Sequence, residues 1–128
     1  MPILDANVIL RYLLKDLPDK AEEARAAVLA GASTTAEVLA EVVYVLAGVY
    51  KANRATIADA LGAFIQEVDV PHKAAIQYAF RLYRSRKLDF VDCVLAGYHH
   101  LDGLDVITFD GKLQKALLND PMSQDHAN

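Results

Sequence analysis

Hydrophobic and polar positions switch between two periods along the chain. Residues 1–4 form a short apolar run that stops at Asp5, the pattern of an opening strand. From residue 8 to 14 the period becomes helical, with Val8, Ile9, Tyr12 and Leu13 on one face. Pro18 interrupts, and residues 20–29 read as a helix closed by Gly31. Thr34 stands three residues before Glu37, the capping-box spacing, and opens a helix to about residue 49. Residues 55–68 give another helix, capped by Asn53 or Thr56, followed by three strand-compatible residues, 68–70, ahead of Pro71. Residues 73–84 and 90–99 are helical, the second opened by Asp89 and ended by Gly103. Residues 105–109 (DVITF) are β-branched and apolar on both faces, which predicts a parallel strand. A last short helix is expected over 111–118, then a polar, aperiodic tail over 120–128.

Strands alternating with helices, without a hairpin signal, predict an α/β fold: a parallel sheet with helices on both faces and right-handed crossovers. At 128 residues the chain has the size of one domain, and no internal repeat divides it. Apolar residues at 54% and charged residues at 23% exclude a disordered chain. The apolar runs fall short of the ~18–20 residues of a membrane span. No basic leader with an apolar run and a small-residue cleavage site opens the sequence. The single Cys93 has no intramolecular disulfide partner, which suits a reducing compartment. A cytoplasmic protein that does not enter a membrane is the expectation.

The informative positions are acids set in apolar surroundings. Residues 38–50 (VLAEVVYVLAGVY) contain one charge, Glu41, and residues 90–98 (FVDCVLAGY) contain one, Asp92. Asp5 is the only charge before residue 11, and Asp110 directly follows DVITF. An unpartnered buried carboxylate costs several kcal/mol, so each acid requires a reason. Capping supplies one for most. Asp5 or Asn7 can cap the first helix, Asp110 the last, and Asp92 can be the third-position partner of an Asp89 cap. Glu41 lies in mid-helix with no basic residue three or four positions away, and capping does not account for it. Glu37 is accounted for by the capping box.

A joint reading covers all four acids. Asp5 and Asp110 end two predicted parallel strands, where ligand sites of open α/β sheets form, and the helices carrying Glu41 and Asp92 can pack toward that end. Hard oxygen donors of this kind suit Mg²⁺ or Mn²⁺. His72, His99, His100 and His126 are scattered, Cys93 points away from Asp92 on its helix, and they read as surface or packing groups.

Four motifs stand in order: ILDANVIL, VLAEVVYVL, LDFVDCVLAGY and VITFD. Together they resemble the PIN-domain nucleases, and within these the VapC-type toxins of bacterial and archaeal toxin–antitoxin pairs, over residues 1 to about 118. The resemblance implies a three-layer α/β/α domain over residues 1–119 with a central, mainly parallel sheet, and a flexible tail over 120–128. It places the catalytic, metal-binding acids on Asp5, Glu41, Asp92 and Asp110, with Asn7, Thr108 and Asp89 in support. It further implies a Mg²⁺- or Mn²⁺-dependent ribonuclease, a hydrolase acting on RNA, restrained by a cognate antitoxin and assembled as a homodimer.

A metal bound by these acids would act as Lewis acid and lower the pKa of its water, with Asp5 and Asp92 as main ligands and Glu41 as ligand or water-orienting group. The net charge of −4 does not oppose an RNA substrate: setting four site acids aside leaves 13 acidic against 13 basic residues. Residues 81–87 (RLYRSRK), Arg11, Lys15 and Lys112 are candidate phosphate contacts or, equally, solvated helix faces. Two other readings compete. One is a PIN-like protein-binding module without catalysis. The other is a phosphatase with an aspartyl nucleophile, which usually has a second Asp where this chain has Asn7.

Overall fold

The computed structural model describes residues 1–123, and among these it contains seven helices. They are α1 (Ala6–Leu14), α2 (Pro18–Leu29), α3 (Ala36–Gly48), α4 (Arg54–Phe64), α5 (Lys73–Ser85), α6 (Phe90–Asp102) and α7 (Gly111–Leu118). Backbone proximity divides the chain into two compact units, residues 1–71 with α1–α4 and a second unit from His72 onward with α5–α7. No described helix is long and apolar enough to cross a membrane.

The expected α/β architecture is not what forms. The described residues are helical without a strand or a sheet, so the central, mainly parallel sheet is corrected to an all-helical arrangement. The segments read as strands 1–4 and 68–70 contribute only two isolated parallel bridges, Ile3 with Ser33 and Ser33 with Asp69. Pro2 has no N–H to give a ladder, and the helices begin within a few residues on either side. Residues 105–109 do not pair at all. Ile107 and Phe109 are 93% and 99% exposed. A β-branched composition says that side chains fit a pleated, half-buried surface, and it cannot supply the neighbouring strand.

Capping decides most helix boundaries. Asp5, Thr35, Asn53 and Asp110 each accept a backbone N–H from the first turn of α1, α3, α4 and α7. α2 starts on Pro18, whose missing N–H costs nothing at a first-turn position. α6 ends on Gly103 with φ +68°, in the left-handed region that glycine enters without strain. The capping box read at Thr34 and Glu37 is shifted. Thr35 is the cap of α3, and Thr34 turns inward, 1% exposed, donating its hydroxyl to the Leu4 carbonyl at 3.2 Å. Glu37 is therefore an ordinary, exposed first-turn acid.

In the first unit α1 packs on α2 and α3, and α3 on α4. Ile9, Leu39, Val42, Ile57, Leu61 and Phe64 are buried there. In the second unit α5 and α6 form the most extensive pairing, and α7 packs on α6. Phe80 and Phe90 stack with centroids 4.8 Å apart, and Tyr83 meets Phe90 edge-on at 6.0 Å. Of the segment read as a tail, Asp120 accepts the Tyr78 hydroxyl at 2.5 Å and Met122 is buried. Residues 124–128 lie outside the described residues.

Gly97 sets the spacing of α5 and α6, since a Cβ on it would run into the backbone carbonyl of Ala75. Gly97→Ala is expected to destabilise the protein by about 1–3 kcal/mol, because backbone must shift to admit the methyl group. Urea denaturation of the two proteins measures this, and an unchanged midpoint would contradict the close approach.

Candidate functional site

The first unit carries Asp5, Asn7 and Glu41. Asp5 accepts the Val8 N–H on Oδ1 at 3.0 Å, so the capping reading is correct for it. Its backbone is fixed from the preceding residue: Leu4 donates its N–H to the Ser33 carbonyl at 2.8 Å and accepts the buried Thr34 hydroxyl. The cap occupies one oxygen and leaves Oδ2 of this exposed carboxylate open. Asn7 is exposed on the first turn of α1. Glu41 lies on the second turn of α3 and is also exposed, as is Glu37 one turn earlier. The desolvation cost that singled out Glu41 in the sequence therefore does not arise.

The second unit carries Asp89, Asp92, Thr108 and Asp110. Asp89 occupies the N-cap position of α6, yet its side chain makes no cap hydrogen bond. Asp92 follows in the first turn and is half-buried. Its carboxyl is pushed above the usual carboxylate value, by burial first, then by the charge of Asp110, then by that of Asp89. A helix N-terminus by itself favours the ionised form. Burial and like charge act in the opposite sense.

Asp110 caps α7, accepting the Leu113 N–H on Oδ1 at 2.9 Å. Thr108 frames its approach: its hydroxyl accepts the Asp110 N–H at 3.0 Å, and its carbonyl accepts the Gln114 side-chain amide at 2.8 Å. The structure thus brings Asp92 into the field of Asp110 and Asp89. Asp5 caps α1 and Glu41 lies on α3, and these two helices pack on each other.

No group of three or more His, Cys, Asp or Glu side chains among the described residues forms a cage for a metal ion. The donor chemistry still suits one kind of ion. Asp89, Asp92 and Asp110 offer oxygen donors only, with mutual repulsion that a cation would relieve. Mg²⁺ is commonly held by one or two carboxylates, with waters and substrate phosphates completing its shell. The histidines are engaged otherwise. His72 Nδ1 lies 2.8 Å from Asp102, His99 Nδ1 2.8 Å from the Leu104 carbonyl and His100 Nε2 2.7 Å from the Ala116 carbonyl. His126 lies outside the described residues, and Cys93 is buried with its thiol toward the Leu88 carbonyl.

Of the basic candidates, Arg11 is taken up by Asp16 at 2.7 Å and the Tyr50 hydroxyl at 3.3 Å. Arg86, Lys87 and Lys112 instead line a cleft of about 940 Å³ in the second unit, together with Lys115, which the sequence reading passed over. Its signal was present in the spacing: Lys112 and Lys115 are three apart on one helix and share a face.

A family model described as PIN domain matches residues 3–116, while no curated protein and no solved structure matches the chain. Proteins with this domain are generally nucleases, generally use divalent metal ions and act on RNA or other nucleic acid. With residues 3–116 of its 128 matched, this chain belongs to the PIN-domain family.

Proposed function

We propose that the protein is a divalent-metal-dependent ribonuclease that hydrolyses RNA phosphodiester bonds, and that it acts as the toxin of a toxin–antitoxin pair. The observation that carries the metal-dependent reading is the PIN-domain match over residues 3–116, and the half-buried Asp92 in the field of Asp110 and Asp89 agrees with it. Carboxylates crowded in this way are costly unless a cation or a proton joins them. Asp92 and Asp110 would hold Mg²⁺ or Mn²⁺, with Asp89 in support. Asp5 and Glu41 enter the proposal through the motif order of the sequence. When bound, the metal supplies Lewis acidity toward the phosphate and a water of lowered pKa.

The chain's own groups do the rest. Thr108 and Gln114 fix the backbone that presents Asp110. Asp5 keeps Oδ2 open while Oδ1 caps α1. Glu41, exposed and free of a carboxylate-binding partner on its own helix, orients the attacking water as a general base would. The partners in this proposal are an RNA substrate, a cognate antitoxin and a second copy of the chain, in the cytoplasm. Symmetric pairs are the commonest oligomers.

Purified protein is expected to cut RNA with Mg²⁺ or Mn²⁺ and not in excess chelator, and Asp92→Asn to abolish cutting. Cleavage that persists undiminished in chelator would remove the metal from the mechanism. Glu41→Gln should slow cleavage at least ~10²-fold if it orients the nucleophile. Glu37→Gln should leave the rate near wild type, since that first-turn charge serves only the helix dipole. Similar rates for the two variants would break the distinction between them.

Stability gives an independent measurement. The folded-state carboxyl of Asp92 lies above its ordinary value of 3.8, so ionising it costs more in the folded than in the unfolded protein. The penalty is absent below that ordinary value and complete above the raised one. Metal-free wild type should therefore lose stability from this group as pH rises through that window, and Asp92→Asn should lack the loss and melt higher at neutral pH. Mn²⁺ should raise the wild-type melting temperature, by about 2.7 kcal/mol of stability at a hundredfold excess over Kd, and barely move the variant. A metal-insensitive wild type beside a destabilised variant would return Asp92 to a purely structural role and favour a binding module without catalysis.

A further inference from the structure

The cleft of about 940 Å³ in the second unit has an unusual charge balance. Arg86 and Lys87, from the connection between α5 and α6, and Lys112 and Lys115, from α7, line it. All four are exposed. None has a carboxylate partner among the described residues, whereas Arg11, Lys20 and Arg25 of the first unit each have one. Arg86 donates only to main-chain carbonyls, those of Ser85 at 3.1 Å and Pro121 at 3.5 Å. The one acid in the lining, Asp120, is engaged: it accepts the Tyr78 hydroxyl at 2.5 Å and the Met122 N–H at 2.9 Å. Burial and Asp120 together hold Tyr78 above its ordinary value, so it remains a donor across the physiological range. Leu88 and Ala116, both buried, add an apolar strip to the wall.

We infer that this cleft binds the sugar–phosphate backbone of a single-stranded nucleic acid outside the acidic site. Four cations against one carboxylate in a concavity favour a polyanion with regularly spaced charges. Its volume is that of a pocket for a ligand of a few rings, which takes a few unpaired nucleotides and not a double helix. Its position favours a nucleic acid over an acidic peptide. Lys112 and Lys115 sit on the helix whose cap is Asp110, and at 1.5 Å per residue Lys115 lies about 7.5 Å beyond that acid. A strand reaching Asp110 continues over these lysines, with sugar rings against the apolar strip. The choice of ligand rests on the nuclease reading. The binding itself does not require cleavage.

Fluorescence anisotropy with a labelled, unstructured single-stranded RNA, in chelator so that nothing is cut, tests this. The double variant Lys87→Ala/Lys115→Ala is expected to bind about tenfold more weakly, with a salt dependence of log K shallower by about 1.4, roughly 0.7 for each cation removed. Lys20→Ala/Arg25→Ala, which changes as much charge in the first unit, should leave both quantities near wild type. Both pairs are exposed, and matching thermal melts verify that the fold is intact. Unchanged affinity and slope in the cleft variant, or equal losses in the two variants, would overturn the inference. So would a polyglutamate peptide that binds more tightly than the RNA and loses its affinity in the cleft variant. RNA binding lost only in the cleft variant supports the cleft even if no metal ever yields cleavage, an outcome that would defeat the nuclease reading alone.

Discussion

The backbone of residues 32–34 is hydrogen-bonded on both sides, and the first unit is organised around it. Ser33 donates to the Pro2 carbonyl and accepts from Leu4, both at 2.8 Å. Ala32 accepts from Asp69 at 3.0 Å, and Thr34 donates to the Asp69 carbonyl at 2.9 Å. Each bond is worth only about 1 kcal/mol net. Their effect is mainly positional. They hold three segments parallel, so that the two helices that follow at once, α1 capped by Asp5 and α3 capped by Thr35, begin at the same end of the bridged segments. The inward Thr34 hydroxyl adds a buried tie to the residue just before Asp5.

Capping and metal binding were alternatives when the acids were read singly, but the geometry makes them compatible. Asp5 and Asp110 each give one carboxylate oxygen to a helix N-terminus and retain the other. The cap orders the side chain before any cation arrives, which lowers the entropy that binding would otherwise cost. Asp89 differs, standing at a cap position without making the bond. It forgoes the helix contribution of about 1 kcal/mol that a cap supplies.

The extent to which these features were legible follows from how local their causes are. The helices could be read because period and caps are local: α7 and the start of α5 lie where the pattern puts them, and Asn53 and Gly103 fill their expected roles. The choice between Thr34 and Thr35 could not be read, because two like residues stand side by side and only the Leu4 carbonyl decides which turns inward. DVITF misled for a related reason, since a strand is a property of two segments and the sequence displays one. Among the acids, Asp92 is the one whose apolar context in sequence corresponds to partial burial in space. Asp5, Glu41 and Asp110 were singled out by an apolar context in sequence that does not translate into burial in space. Lys115 went unnoticed because its significance comes from a cleft that residues nearly thirty positions earlier help to form.

The hydrogen bond from Tyr78 to Asp120 bears on how the chain can be shortened. Tyr78 is wholly buried in the centre of α5, and its hydroxyl is satisfied by an acid two residues beyond the end of α7. Trimming the polypeptide at the last helical turn, as an expression design guided by secondary structure would do, removes the acceptor and uncovers the site of Met122. The phenol would be left buried without its partner, at a cost of about 1–3 kcal/mol, before any loss of apolar packing. A shortened protein therefore has to keep Asp120 and Met122, beyond the end of α7.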